Sequence, residues 1–180
     1  MDLLNDGSTG ISRRAFVLGS AAAVLAVPLV GSMGSAVAAP PPLLDGAVRP
    51  RAEWAGGLPV PGPLDQEAPG DVRFLIVHHT ASTNRYAAGD VPAQIRGFHS
   101  FHTGPEKGWP DVAYNFFVDR YGGVWEGRAG SLAGPVKPDA TGGSQGFAQI
   151  CCFIGEHTAD APTPEAQRSM ILLLAGLAEW

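Results

Sequence analysis

Arg73-Phe74-Leu75-Ile76-Val77-His78-His79-Thr80-Ala81 is the stretch on which the fold turns. Its unbroken apolar run is too short for a helix and predicts a β-strand over 73–78, buried on both faces as inside a helix-covered sheet. Such a strand carries His78 and His79 to its C-terminal end. Downstream, Val91, Ile95, Phe98 and His102 recur at helical spacing, with Asp90 placed to cap and Pro92 in the first turn. This predicts a helix over 91–102. After a loop from Gly104 to Pro110, Val112–Val118 and Gly123–Glu126 flank Asp119–Gly122 as a β-hairpin. Residues 129–146, rich in Gly, Pro, Ser and Thr, read as a long surface loop of the kind that lines sites. A second buried strand is expected over 148–154. Thr163 then caps a helix over 164–180 that presents Ala166, Met170, Leu173, Leu174, Leu177 and Ala178 on one face to the sheet.

Upstream of the deciding strand, 58–70 is rich in Pro and Gly, so Arg51-Ala52-Glu53-Trp54 is a short docked segment anchored by Trp54. Residues 40–49 open on Pro40-Pro41-Pro42 and predict an extended linker. Before it, Ser12-Arg13-Arg14-Ala15-Phe16 leads an apolar run to about Val30, followed by Ser35-Ala36-Val37-Ala38-Ala39. That order is a twin-arginine signal peptide over 1–39 with an A-x-A cleavage site, which sends the mature chain to the cell wall or the extracellular space. Gly19, Ser20 and Pro28 interrupt the run, which falls short of the roughly 20 apolar residues of a membrane span. No cysteine near the cleavage region offers a lipid anchor. No stable membrane anchor is therefore expected after cleavage.

The chain has 180 residues, 12 basic and 17 acidic, for a net charge of −5. Arg13 and Arg14 offset Asp2 and Asp6, so signal removal leaves that balance unchanged and leaves one domain's worth of chain over 50–180. A mildly acidic surface argues against a nucleic-acid partner, which needs clustered Lys and Arg. The two cysteines, Cys151 and Cys152, are adjacent in a strand, point to opposite faces and predict buried thiols instead of a disulfide. Nothing in the pattern specifies an oligomer.

The histidines carry the first chemical signal. His78 stands at the mouth of a strand that would fix its ring and offer a nitrogen lone pair to a metal, while His99 and His102 share a helix face. Hydrogen-bonded surface or core histidines would present the same pattern. A glycosidase would need two carboxylates facing each other, and Glu53 and Glu126 form no evident pair.

Taken in order, Arg51-Ala52-Glu53-Trp54, Ile76-Val77-His78-His79-Thr80-Ala81, Ile95 to His102, Gly108-Trp109-Pro110-Asp111-Val112-Ala113-Tyr114-Asn115-Phe116 and Gly122-Gly123-Val124-Trp125-Glu126-Gly127-Arg128 closely resemble the peptidoglycan-recognition and type 2 N-acetylmuramoyl-L-alanine amidase family. The resemblance covers residues 50–180. It implies an α/β fold, a mixed central β-sheet flanked by helices in a single domain, with a groove for the muropeptide stem of bacterial peptidoglycan. The implied reaction is hydrolysis of the amide joining the lactyl group of N-acetylmuramic acid to L-alanine, with zinc as cofactor. His78 matches the first zinc ligand. Tyr114 matches the tyrosine beside the metal and becomes the candidate donor to the oxyanion. His102, Trp109, Asn115 and Arg128 fall where groove contacts to substrate are expected.

Two departures qualify what the resemblance implies. The loop stretch Pro138-Asp139-Ala140-Thr141-Gly142-Gly143-Ser144-Gln145 lacks a histidine and an asparagine that many relatives carry. The remaining ligands, a second His and a Cys or Asp, match no residue up to Trp180, and His157 stands at neither position. A single His does not hold zinc, since a catalytic site takes three protein ligands. The expectation is therefore a C-terminally truncated amidase, inactive as it stands, with a non-catalytic peptidoglycan-binding module as the alternative.

Overall fold

The computed structural model describes residues 46–59, 61–140, 143–144 and 146–180. The expected signal peptide and most of the expected linker lie outside the described residues. The elements are β1 (Val48–Arg49), α1 (Ala52–Ala55), β2 (Phe74–His79), α2 (Val91–Thr103), β3 (Phe116–Val118), β4 (Val124–Glu126), β5 (Asp139–Ala140), β6 (Gly143–Ser144), β7 (Ala148–Phe153) and α3 (Pro164–Leu177). The main sheet has the order β1-β4-β3-β7-β2. Only β3 and β4 run antiparallel; β1 with β4, β3 with β7 and β7 with β2 are parallel, so the sheet is mixed as expected. Among the described residues, no helix is long and apolar enough to cross a membrane.

One helix lies on each face of the sheet. α3 lays Ala166, Met170, Leu173 and Leu177 against Phe116, Val118, Val124 and Cys151. The Thr163 hydroxyl caps it by accepting the Ala166 N–H at 3.2 Å. α2 packs Val91 and Ile95 on the opposite face, against Phe117, Trp125, Cys152 and Ile154. The alternation of a strand thus sends the two adjacent cysteines into different cores, both free and buried. Asp90 does not cap α2: its Oδ2 accepts the Ala87 N–H at 2.9 Å and closes the turn before the helix.

Three expectations change. β2 was read as buried on both faces, yet it occupies an edge, with Phe74 61% and Val77 44% exposed. An apolar run reports affinity for a sheet, and the position within that sheet is set by distant pairings. Val48 and Arg49, read as linker, form β1 and pair with Val124 and Trp125. The hairpin strands are shorter than their apolar pattern, because Asn115 substitutes its side chain for strand pairing. Its Oδ1 accepts the Ile150 N–H at 2.8 Å, while its own N–H reaches the Ile150 carbonyl. The hairpin turn itself is tied by Asp119, whose Oδ1 accepts the N–H groups of Tyr121 and Gly123 and whose Oδ2 accepts the Trp125 indole N–H.

Trp54 is the anchor its segment required: it is fully buried and donates from Nε1 to the Glu126 carbonyl at 2.6 Å. Arg51 joins the same place. Its guanidinium lies over the Trp54 ring, donates to the Gly127 carbonyl at 2.7 Å and pairs with Asp111.

Candidate functional site

Parallel pairing of β2 with β7 sets His78 opposite Cys152, on the face that looks toward α2. Tyr114 enters this face from the irregular segment before β3. Its backbone is held by the Arg128 N–H, which donates to the Tyr114 carbonyl at 2.9 Å, and by Gly127 packed against that carbonyl. A Cβ on Gly127 would collide with the Tyr114 carbonyl oxygen and with the Phe117 ring, so glycine is required by close approach.

The Tyr114 ring meets His78 edge-on at 5.9 Å between centroids and His102 edge-on at 5.5 Å. His102, in the last turn of α2, in turn packs on Trp109 at 5.1 Å. Trp109 is brought back over the helix end because its own N–H donates to the His102 carbonyl at 3.0 Å. The result is a continuous ladder of rings, His78–Tyr114–His102–Trp109, assembled from a strand end, a hairpin approach, a helix end and a loop. Lys107 closes its outer end, with Nζ 5.6 Å from the ring centroids of both Phe101 and Trp109.

Four of the six residues expected at a site are therefore together. Asn115 and Arg128 are not presented to a ligand. Asn115 is fully buried, and its Nδ2 donates to Ser131 Oγ and to the Val136 carbonyl, which leaves no group free for substrate. Arg128 is 4% exposed, donates to the Val112 carbonyl at 3.1 Å and pairs with Asp139 at 2.8 Å. Both hold the loop after β4 onto the sheet. Glu126 is also spoken for, since its carboxylate accepts the N–H groups of Arg51 and Leu132, while Glu53 is exposed beside Arg49; the two face no common cleft.

Burial sets the protonation of the ladder. The Tyr114 phenol is pushed well above its ordinary range, chiefly by burial and further by the neighbouring Cys152 thiol with which it shares a hydrogen bond. It therefore stays a hydrogen-bond donor at neutral pH. Cys152 is raised well above a usual thiol by burial and is no thiolate. His102 is pushed down to about 4, by burial first and by the Lys107 charge next. A group depressed in the folded state contributes stability above its unfolded value, 6.5, and loses it as pH falls through the folded one. We expect the domain to lose stability between about pH 6.5 and pH 4, and His102→Gln to flatten that slope; denaturant melts across this range provide the check.

The metal expected at His78 is not matched by the described residues. No three His, Cys, Asp or Glu side chains among them converge to hold an ion. Cys152 is beside His78 in register and is fully buried in the core on the α2 side. His157 belongs to the opposite face: its backbone N–H donates to Nδ1 of His79, which alternates with His78 along β2. A three-donor site is thus absent among the described residues.

Sequence reasoning missed Asp111 as an organiser. Fully buried, it faces the Arg51 guanidinium at 2.9 Å and His99 Nε2 at 3.5 Å, and accepts the Ala129 N–H at 2.8 Å. Arg51 and Asp111 are 60 positions apart, so no local pattern joins them.

A family model described as N-acetylmuramoyl-L-alanine amidase matches residues 68–180. The chain belongs to the N-acetylmuramoyl-L-alanine amidase family. Among its relatives, peptidoglycan-recognition protein LE of Drosophila melanogaster is 34% identical over 64% of this chain and 33% of its own length. The N-acetylmuramoyl-L-alanine amidase of Sus scrofa is 33% identical over 69% of this chain and 20% of its own. The chain thus spans one third or less of the length of these two curated relatives. A solved structure of peptidoglycan recognition protein-LE, in complex with tracheal cytotoxin, a monomeric diaminopimelic acid-type peptidoglycan, superposes with a TM-score of 0.60 at 30% identity, covering 72% of each chain. Family membership accounts for the mixed sheet and its flanking helices. The family includes both proteins named for recognition and proteins named for hydrolysis.

Proposed function

We propose that this amidase-family domain binds the muropeptide of bacterial peptidoglycan along the His78–Tyr114–His102–Trp109 ladder, and that the chemistry it serves is hydrolysis of the lactyl–L-alanine amide. The ladder is the observation that carries the reading. It sets a flat indole, a neutral imidazole and a protonated phenol in one row, fit to pack on a sugar or peptide face and to donate hydrogen bonds to its oxygens. The relatives named for peptidoglycan recognition, and the peptidoglycan recognition protein-LE structure in complex with tracheal cytotoxin, support the same ligand.

In hydrolysis, the burden on this chain's own residues is orientation and charge stabilisation. Trp109 and His102 hold the muropeptide. The Tyr114 hydroxyl, kept protonated by burial, donates to the carbonyl oxygen as negative charge develops there. Zinc, which the resemblance assigns to His78, would lower the pKa of a water to supply the nucleophile, but the described residues offer it one of three donors.

A second reading, recognition without hydrolysis, is supported by the relatives named for peptidoglycan recognition. Sedimentation with purified cell wall, run with and without chelator and with released stem peptide measured alongside, separates the two. Binding with release that chelator abolishes is the result for an amidase. Chelator-insensitive binding with no release is the result for a recognition domain, and absence of binding would sink both.

A further inference from the structure

The Tyr114 ring has little freedom. His78 of β2 at 5.9 Å, His102 of α2 at 5.5 Å and Phe117 of β3 at 5.5 Å all meet it edge-on. What remains free is the torsion of the O–H bond, and a phenol enclosed in this way takes the hydrogen-bond partner its surroundings offer. Among the described residues that partner is Cys152, which β7 delivers opposite His78 and buries on the α2 side. The thiol's own hydrogen is engaged elsewhere: the Cys152 S–H donates to the Phe153 carbonyl at 3.6 Å. Sulfur therefore meets the phenol with a lone pair, and the Tyr114 hydroxyl donates to it. A thiol sulfur is a weak acceptor. The hydroxyl is thus aimed without being held tightly, and a carbonyl oxygen arriving with the ligand competes for the O–H against a poor rival. A serine oxygen in the same place would hold it more strongly.

We propose that Cys152 is a positioning residue for Tyr114: its sulfur fixes the direction of the hydroxyl in the free protein and yields the O–H to the amide oxygen of the ligand as negative charge develops there. No proton is transferred and no covalent bond forms at sulfur. This rests on the amidase reading above and deepens it by naming what sets the aim of the oxyanion donor. The neighbouring Cys151 is an internal control, since it lies on the same strand but in the core under α3, on the other face of the sheet.

Raman spectroscopy of the S–H stretch reads the contact without any ligand. Cys151 and Cys152 are the two cysteines of the chain, so Cys151→Ala leaves the Cys152 band alone. Adding Tyr114→Phe to that variant should move the band to higher frequency, because a thiol that accepts from a phenol donates more strongly to its own carbonyl. In Cys152→Ala, which isolates the Cys151 band, Tyr114→Phe should move nothing. A Cys152 band that stays in place overturns the proposal whatever the protein binds. Release of stem peptide reads the consequence. Cys152→Ser should lower kcat by about tenfold, the worth of one good hydrogen bond, and leave KM within about twofold. Cys152→Ala, which offers no competing acceptor, should lower kcat by about threefold for lost direction alone. Cys151→Ala should leave it unchanged. In a Tyr114→Phe background Cys152→Ser should cost nothing further, whereas a packing defect would add to the loss. Additive losses, or a larger loss in Cys152→Ala than in Cys152→Ser, overturn the positioning role while leaving the amidase reading intact. A wild-type chain that shows the band shift but releases no stem peptide overturns the proposed role together with the reading it rests on.

Discussion

Replacing Asp111 with alanine should destabilise the domain by about 3–5 kcal/mol, the range for breaking a buried ion pair from one side. Asp111 has no exposure, and the Arg51 side chain it faces is only 11% exposed. Nη1 donates to Oδ2 at 3.0 Å, and Nη2 lies 2.9 Å from Oδ1 as a close charge contact. Alanine would leave a buried guanidinium with the Gly127 carbonyl as its remaining partner, and would orphan the Ala129 N–H. Denaturant unfolding at neutral pH, read as a lower midpoint with unchanged slope, is the measurement. Replacing Arg51 and Asp111 together by apolar residues should cost much less than either single change, since no uncompensated charge is then buried. A loss below about 1 kcal/mol for Asp111→Ala would show that the network fastens nothing, because surface pairs are worth that little.

Tyr114→Phe should separate binding from chemistry. Phenylalanine keeps the ring and with it the edge-on contacts to His78 and His102. Affinity for cell wall should therefore stay within about threefold, while on the proposed amidase reading release of stem peptide should fall by about 100- to 1000-fold, the cost of removing one oxyanion donor. Release and binding that fall together would place the hydroxyl in ground-state binding. Release that persists at the wild-type rate would remove Tyr114 from the reaction. The variant also reports on Cys152, whose thiol shares a hydrogen bond with that hydroxyl.

Both predictions concern residues of one motif, Gly108 to Phe116, and they show what a motif conveys. Tyr114 and Trp109 were expected at a groove from the family resemblance of this motif, and the structure sets both rings in the ladder with His78 and His102. Asp111 stood in the same motif and was assigned nothing, since its partner lies in a segment docked from 60 positions away. Asn115 and Arg128 erred in the other direction. Their polar ends suggested substrate, but the polypeptide itself takes up every hydrogen bond that Asn115 offers and encloses Arg128 with Asp139.

The sequence by itself determined the elements whose causes are local. α2 and α3 follow from apolar residues recurring about every turn and, for α3, from the Thr163 cap; β7 and the core of the hairpin follow from apolar runs bounded by turn residues. The strand reaching His78 and His79 was equally plain from its short unbroken apolar run, although the strand it pairs with, β7, lies far along the chain. Only the tertiary structure decided that this strand sits at an edge, that Val48 and Arg49 join the sheet, and that His78, Tyr114, His102 and Trp109 form one ladder. Each of these is a contact between segments far apart in the chain. Which segment covers which is settled by the closure of the whole core, where a buried polar group must find a partner or bear its full desolvation cost. The same closure makes His102 neutral, because its surroundings come from α2, the loop after it and the approach to β3 together.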